Sequence, residues 1–179
     1  MRTNKSVIVR IVSNRYHVFH EGEIVHAIAM GKLRLGEKPM VGDEVLVEWL
    51  DPNYVIQEIY PRHNALTRPA VANVDQTFIV MSAVEPDFSY TLVDRLIFLI
   101  SLEGIEPIIV LTKTDLVDKE FVEEVREEYE GHGYKFIATG LDDNVSALED
   151  MLKGKISVLS GQSGVGKSSI LNRINEDFS

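Results

Sequence analysis

The sequence contains no cysteine, which excludes disulfide bonds and thiolate metal ligands within this chain and predicts a cytoplasmic location. It also lacks any apolar run near the roughly 18 residues that a membrane-spanning helix needs, so no membrane partner is predicted. The first residues, MRTNKSVIVR, have no small-residue cleavage site, and Arg10 interrupts their apolar run. They therefore favour a first strand over a signal peptide.

The negative charge is distributed unevenly along the chain. Residues 1–64 contain eight Lys or Arg and eight Asp or Glu, whereas residues 65–179 contain ten and twenty. The excess behind the net charge of -10 therefore lies in the second part. This asymmetry indicates two units with different partners, and any contact with nucleic acid has to be local.

Residues 1–64 carry five short runs rich in β-branched and aromatic residues, separated by glycine and Asp-Pro-Asn turn signals, which predict strands at 7–12, 16–19, 24–28, 45–49 and 54–59. This pattern predicts a small closed barrel of the oligonucleotide-binding (OB) or SH3-like kind. The stretch MGKLRLGEKPM at residues 30–40 has no apolar period and carries Lys32, Arg34 and Lys38. These cations belong either to a solvated surface loop, which the residues alone favour, or to a loop that contacts nucleic-acid phosphates.

The stretch 61–74 contains two prolines and little periodicity, which predicts a linker at residues 65–72. From residue 73 to residue 179, short apolar strands alternate with helical segments. Strands are predicted at 77–81, 107–111, 134–138 and 156–159, and helices at 91–102, 119–131, 144–152 (capped by Asn144) and from about 167. Such alternation predicts a parallel sheet with helices on its faces.

The most specific motif is GQSGVGKS at residues 161–168, which satisfies G-x-x-x-x-G-K-[ST] and lies between a predicted strand and a predicted helix. Glycine lets the backbone N–H groups approach a phosphate chain, and the helix directs its positive end at the anion. The predicted nucleotide-binding residues are Gly161, Gln162, Ser163, Gly164, Val165, Gly166, Lys167, Ser168 and Ser169. Catalytic roles are predicted for Lys167, which would reach the β- and γ-phosphates, and for Ser168, whose hydroxyl would bind Mg²⁺.

A second motif, Thr112-Lys113-Thr114-Asp115, resembles the guanine motif N-K-x-D with Thr in place of Asn. Guanine offers N1–H and an N2 amino group on one edge, and one carboxylate, here Asp115, accepts from both. The alkyl stem of Lys113 would cover the base. The residues also allow an ATP-using P-loop enzyme in which Asp115 only caps the next helix. Thr112 is expected to remove an amide that braces the neighbouring loops.

The order of these motifs is reversed relative to ordinary GTPases, in which the phosphate loop comes first. Both can still face one nucleotide, because parallel strands end at one edge of their sheet. This order, with RPAVANVDQTFIVMSAVEPDFS at 68–89, PIIVLTKTDL at 107–116 and GQSGVGKSSILN at 161–172, resembles the RsgA (YjeQ/YloQ) family of small-ribosomal-subunit-dependent GTPases. The sequence PMVGDEV at 39–45 fits the barrel of that family.

The resemblance implies an OB-fold barrel at 1–64 and a circularly permuted P-loop GTPase domain with a parallel sheet at 73–179. It implies hydrolysis of GTP to GDP with Mg²⁺, a role in late maturation of the 30S ribosomal subunit, and contact with 16S rRNA. It therefore favours RNA contact over a solvated surface loop for Lys32, Arg34 and Lys38. Ala138-Thr139-Gly140 falls where the family backs the base with a short loop. A monomer is expected.

Family members continue beyond the phosphate loop with a Mg²⁺-binding switch threonine, a D-x-x-G strand and a zinc-binding Cys/His domain. The GTPase domain is therefore expected to be incomplete at its C-terminus, and the chain taken alone is expected to hydrolyse GTP poorly. The zinc ligands are expected in that later domain and not in this chain. The alternative function is a hydrolysis-deficient module that binds RNA and nucleotide.

Overall fold

The structure, a computed structural model, describes residues 6–34, 38–141, 143 and 146–177, without the side chains of residues 32, 34 and 175–177. It divides into two compact units, Met1–Val74 and Asp75–Ser179. The predicted fold class, a β barrel followed by a parallel α/β domain, is confirmed. Within the described ranges, no helix combines the length and the apolar character needed to cross a bilayer.

The first unit is built on a closed barrel with the strand order β1-β2-β3-β5-β4. Neighbouring strands are antiparallel except for β3 and β5, which are parallel. The strands are β1 (Ser6–Val12), β2 (Arg15–His20), β3 (Glu23–Ala29), β4 (Glu44–Leu50) and β5 (Asn53–Ile59). Closure leaves no free edge, which removes the main aggregation hazard of a small sheet.

The interior of the barrel is filled by alternating side chains of its strands, as the period of two in a strand requires. Ile8, Val18, Ala27, Val45 and Ile56 come from the five different strands and are all buried. The predicted strands therefore agree with the observed ones to within about one residue at each end, because each one carries its own apolar alternation.

Asp43 is a buried charge just before β4, and its side chain is 0% exposed. It accepts hydrogen bonds from Arg62 Nε at 2.6 Å and Nη2 at 2.9 Å, and from the Met40 N–H at 2.7 Å. Arg62 Nη2 also donates to the Lys38 carbonyl at 2.8 Å. A buried carboxylate needs such partners, and these fix the course of residues 38–43.

The segment 65–72, predicted as a linker, forms a hairpin of β6 (Ala65–Thr67) and β7 (Ala70–Ala72). Ala72 N–H donates to the Val41 carbonyl at 2.8 Å, and Asn73 Nδ2 donates to the Gly42 carbonyl at 2.9 Å. A Cβ at Gly42 would lie 2.0 Å from the Ala72 carbonyl oxygen. The hairpin therefore belongs to the first unit and packs against residues 41–42, just before β4. Strands of three residues carry no pattern in the sequence that predicts this contact.

The second unit contains a four-stranded parallel sheet in the order β10-β9-β8-β11. Every residue of β8 is buried, as expected for a sheet covered on both faces. The strands are β8 (Gln76–Ser82), β9 (Glu106–Thr112), β10 (Lys135–Thr139) and β11 (Ser157–Ser160). The helices are α1 (Tyr90–Leu102), α2 (Lys119–Gly131), α3 (Ser146–Leu152) and α4 (Lys167–Asp177).

The helices lie close to their predicted positions. Helix α1 begins after Ser89, whose hydroxyl accepts a hydrogen bond from the Leu92 N–H at 3.4 Å. Helix α2 has the predicted bounds, because it buries Val125 and Tyr129 on one face and exposes most of its glutamates. The predicted cap of α3, Asn144, lies outside the described residues.

Candidate functional site

The phosphate-loop sequence, residues 161–168, follows β11 directly at the carboxyl edge of the sheet and runs into the first turn of α4. Gly161 has φ 145°, and a Cβ there would lie 2.1 Å from the Val80 carbonyl oxygen, so only glycine fits against β8. Gly164 and Gly166 also have positive φ, at 83° and 95°. Val165 is 0% exposed and belongs to the core. The loop is therefore fixed by its packing onto the sheet.

Lys167, the first residue of α4, directs its ammonium group back into the loop. Its Nζ donates to the Gly161 carbonyl at 2.9 Å and to the Gln162 carbonyl. A cavity of about 530 Å³, called here the loop cavity, is lined by Lys113, Ser163, Gly164, Gly166, Lys167, Ser168 and Ser169. The first N–H groups of a helix have no intrahelical partner, so this cavity combines free donors, hydroxyl groups and positive charge.

Thr112 ends β9 and is buried against the phosphate loop. Its Oγ1 donates to the Val165 carbonyl at 2.6 Å and lies 3.3 Å from the Met81 carbonyl oxygen. The expected loss of a bracing amide is therefore offset by a hydroxyl contact from Thr112 to the phosphate loop. The shorter side chain makes the connection through its hydroxyl.

Lys113 has the left-handed backbone conformation, with φ 56°, and its Nζ donates to the Glu85 carbonyl. It lines the loop cavity and also a second cavity, described below. Thr114 faces neither of these cavities and lines a third one with Lys119. Thr112 thus contacts the phosphate loop and also lines the second cavity, Lys113 lines both cavities, and Thr114 lines neither.

Asp115 lies in the 3-10 turn Thr114–Leu116, four residues before α2 begins. Its Oδ1 accepts a hydrogen bond from the Leu141 N–H at 3.1 Å. The N-cap position of α2 is occupied by Asp118. The alternative in which Asp115 serves only as the cap of the next helix is therefore wrong.

The second cavity, of about 340 Å³, lies beside Asp115 and is called the base cavity. Its lining residues are Thr112, Lys113, Asp115, Leu116, Thr139, Gly140, Leu141, Gly166, Ser169, Ile170 and Arg173. Most of the lining is apolar. Its charged side chains are Lys113, Asp115 and Arg173. The base cavity and the loop cavity share Lys113, Gly166 and Ser169, so they are direct neighbours.

Sequence reasoning placed the two motifs at this edge but missed part of the base cavity. Leu116, Leu141, Ile170 and Arg173 were not predicted to be there. Leu116 and Leu141 are 59% and 72% exposed. Exposed large apolar side chains indicate a binding surface, but their exposure is visible only in the folded structure. Of the predicted loop residues, Gly161, Gln162 and Val165 do not line either cavity; they hold the loop by packing or accept the Lys167 and Thr112 hydrogen bonds.

The candidate RNA-contacting residues lie in the first unit. Lys32 and Arg34 belong to a 3-10 turn, Gly31–Arg34, and their side chains lie outside the described part of the structure. Lys38 is exposed. The barrel also presents three aromatic rings in series, because Tyr54 lies 4.9 Å from Trp49 and 5.9 Å from His20 between ring centroids.

Among the residues that the structure describes, no three His, Cys, Asp or Glu side chains form a group suited to a metal ion. A Mg²⁺ site made by one hydroxyl and nucleotide phosphates does not need such a group. The exposed Ser168 hydroxyl at the loop cavity is compatible with that kind of site.

The parallel sheet, the phosphate loop and the adjoining base cavity define a P-loop nucleotide-binding domain preceded by an OB-type barrel. Residues 59–179 match the family described as RsgA GTPase. The chain belongs to this family.

Its relatives include Small ribosomal subunit biogenesis GTPase RsgA 2 of Listeria innocua, 42% identical over 177 residues, with 96% of this chain and 60% of the relative covered. The RsgA of Enterococcus faecalis is 44% identical over 182 residues and covers 97% of this chain, but only 60% of its own length is matched. The chain thus spans about three fifths of these relatives.

Two solved structures are similar over nearly the whole chain. YjeQ from Thermotoga maritima has a TM-score of 0.86 and 36% identity, covering 96% of this chain and 65% of its own. YloQ, described as a circularly permuted GTPase, has a TM-score of 0.80 and 35% identity, covering 94% and 63%. Both agree with the predicted arrangement of a barrel followed by a permuted α/β domain.

Proposed function

We propose that this chain binds GTP and GDP with Mg²⁺ and hydrolyses GTP during maturation of the 30S ribosomal subunit, in contact with 16S rRNA. The observation that carries the proposal is that the base cavity and the loop cavity share Lys113, Gly166 and Ser169. One nucleotide can therefore place its base beside Asp115 and its phosphates beside Lys167. The names of the relatives support the reaction and the ribosomal role.

The loop cavity binds the phosphates in this proposal. Backbone N–H groups at the start of α4 and the Lys167 ammonium donate to phosphate oxygens, and Lys167 exchanges its present carbonyl partners for them. Mg²⁺ would be held by the Ser168 hydroxyl together with phosphate oxygens, and would supply positive charge to the transferring phosphoryl group. Ser163, Gly164 and Ser169 shape the remaining wall of the cavity.

The base cavity selects guanine through Asp115. A carboxylate has about four lone-pair sites, and the Leu141 N–H occupies one of them on Oδ1. The remaining acceptor sites suit guanine N1–H and N2–H, whereas adenine offers no such pair on one edge. Leu116, Leu141 and the stem of Lys113 provide the apolar walls that a planar base requires.

The barrel contacts RNA in this proposal. Exposed aromatic rings are a stacking surface for unpaired bases, and Trp49 offers such a ring next to the partly buried rings of Tyr54 and His20. Lys32, Arg34 and Lys38 would add phosphate contacts. The balanced charge of residues 1–64 fits local contact with RNA better than the acidic second unit does.

The test of the proposal is a competition titration with a fluorescent GDP analogue and Mg²⁺. Unlabelled GDP and GTP should displace the analogue at similar concentrations, whereas ADP and ATP should not do so even at a hundredfold excess. Lys167→Ala should weaken the binding of both GDP and GTP. Lys119→Ala, at an exposed position outside both cavities, is the control. Equal displacement by adenine nucleotides would refute guanine selectivity.

Hydrolysis is measured separately, as phosphate release from GTP with and without 30S subunits. Release that rises on addition of 30S subunits and is lost in Lys167→Ala supports the enzymatic role. Guanine-selective binding without any release under either condition would instead identify a hydrolysis-deficient binding module.

A further inference from the structure

Arg173 links the helix of the phosphate loop to the far wall of the base cavity. It lies in α4, six residues after Lys167, and its half-buried side chain lines the base cavity. The guanidinium donates from Nη1 to the Gly140 carbonyl at 3.0 Å and from Nη2 to the Asp143 carbonyl. Two parallel donors on one rigid plane suit two carbonyl groups of one loop, and a lysine cannot reproduce that fork.

The loop that Arg173 holds is in direct contact with Asp115. The Gly140 N–H donates to Asp143 Oδ2 at 2.6 Å, which closes the loop on itself. The next N–H, that of Leu141, donates to Asp115 Oδ1 at 3.1 Å. A Cβ at Gly140 would lie 3.0 Å from Asp115 Oδ1 and 3.2 Å from its Cβ. A shift of this loop therefore displaces or frees the carboxylate.

We propose that Arg173 is a positioning residue for guanine selectivity: by holding Gly140 and Asp143 it keeps the Leu141 N–H on the Asp115 carboxylate, so that this carboxylate faces the base. The inference rests on the proposed function, since it assigns the way in which the same site discriminates bases. It also means that one element, α4, carries the phosphate-binding lysine at its start and the support of the base-binding wall two turns later.

The test compares GDP with IDP, which lacks the 2-amino group of guanine. The ratio of their dissociation constants measures the contact between that amino group and the carboxylate. In Arg173→Gln we expect the dissociation constant of GDP to rise about tenfold and that of IDP to rise less, so the ratio shrinks several-fold. Arg173→Lys keeps the charge but not the fork, and a smaller change in the same direction is expected. Asn172→Ala, at the exposed neighbouring position, is the control.

A second measurement does not depend on any nucleotide. Hydrogen exchange of the Leu141 amide in the ligand-free protein should become faster in both Arg173 variants and stay unchanged in Asn172→Ala. If Arg173 only stabilised the fold, its substitution would instead lower the melting temperature and raise the dissociation constants of GDP and IDP by one common factor.

The outcomes separate the two proposals. If the wild-type chain binds GDP, IDP and ADP equally, guanine selectivity itself fails, and the role of Arg173 fails with it. If the wild type prefers GDP but the ratio of GDP to IDP affinity is unchanged in both Arg173 variants, the positioning role alone is overturned.

Discussion

Thr112 Oγ1 donates a hydrogen bond of 2.6 Å to the Val165 carbonyl and so joins two motifs that lie 53 residues apart in the sequence. Thr112 is only 5% exposed, and its hydroxyl also lies 3.3 Å from the Met81 carbonyl oxygen. The end of β9, the end of β8 and the phosphate loop therefore meet at one buried hydroxyl. The relative order of the motifs along the chain does not matter to this junction, because parallel strands bring all three to the same edge.

Thr112→Val removes the hydroxyl and keeps the branched shape of the side chain. We expect the free energy of unfolding to fall by about 1 kcal/mol and the dissociation constant of GDP to rise about fivefold, since the phosphate loop loses its tie to β9. Thr112→Ser retains the hydroxyl and should bind GDP like the wild type. Thermal unfolding and calorimetric titration measure the two effects. A valine variant with wild-type GDP affinity would show that the junction does not support the site.

Asp115→Asn replaces one carboxylate oxygen by an amide donor. The affinity for GDP should fall about 10- to 100-fold, because hydrogen bonds to a charged group are lost. The affinity for XDP should rise, since xanthine carries a carbonyl where guanine has its amino group. Asp118→Asn, at the N-cap position of α2, is the matched control. Competition titrations with both nucleotides check the exchange, and an unaltered order of preference would contradict the assignment.

The elements predictable from the sequence are those whose signal is local. The phosphate loop between β11 and α4 is specified by its own glycines, lysine and serine, and the helix α2 by the spacing of Val125 and Tyr129. Each barrel strand likewise shows its own alternation. These predictions depend on nothing outside the segment concerned, and they agree with the observed bounds.

The features that were missed depend on contacts between distant segments. In the sequence, Arg173 looks like an ordinary surface cation of an amphipathic helix; only the structure places the Gly140 and Asp143 carbonyls beside it. The role of Thr112 depends equally on Val165, and the hairpin 65–72 depends on Gly42. No pattern within these short segments distinguishes them, so only the tertiary structure reveals them.

Asp43→Ala removes the acceptor of the buried pair with Arg62. Because breaking such a pair leaves a partly buried guanidinium and the Met40 N–H without this acceptor, unfolding free energy should fall by about 3–5 kcal/mol. Urea unfolding followed by the fluorescence of Trp49, the only tryptophan and a residue of β4, reports on the barrel. Glu48→Ala, at an exposed position of β4, should change stability little. A loss below about 1 kcal/mol in Asp43→Ala would contradict this role.

Tyr129 should make the second unit sensitive to alkaline pH. Burial, followed by the charge of Asp94, which accepts from its hydroxyl at 3.3 Å, raises the pKa of Tyr129 above its ordinary value of 10.0. The unfolded chain then loses this proton at a lower pH than the folded protein does. The stabilisation is therefore present below about pH 10 and is lost as pH rises beyond it.

The decline above about pH 10 should be shallower in Tyr129→Phe, which has no phenolic proton to lose. Urea unfolding followed by the helical circular dichroism signal measures it, since α1–α4 all lie in the second unit. Tyr54→Phe, in the barrel, should leave that signal as in the wild type. Parallel pH profiles for wild type and Tyr129→Phe would show that the hydroxyl does not contribute.

Trp49→Ala tests the aromatic surface of the barrel. Trp49 is 56% exposed and packs edge-to-face on Tyr54, which holds its ring in place for stacking. Loss of one stacked base should weaken binding of a single-stranded RNA by about 1–3 kcal/mol. Fluorescence anisotropy with a labelled oligonucleotide measures the change, and Phe98→Ala, which removes a 62% exposed ring from α1, is the control.

Because stacking is not ionic, the loss in Trp49→Ala should be the same at low and high salt, whereas Lys38→Ala should reduce the salt dependence itself. Equal losses in Trp49→Ala and Phe98→Ala would place the RNA contact somewhere other than this surface.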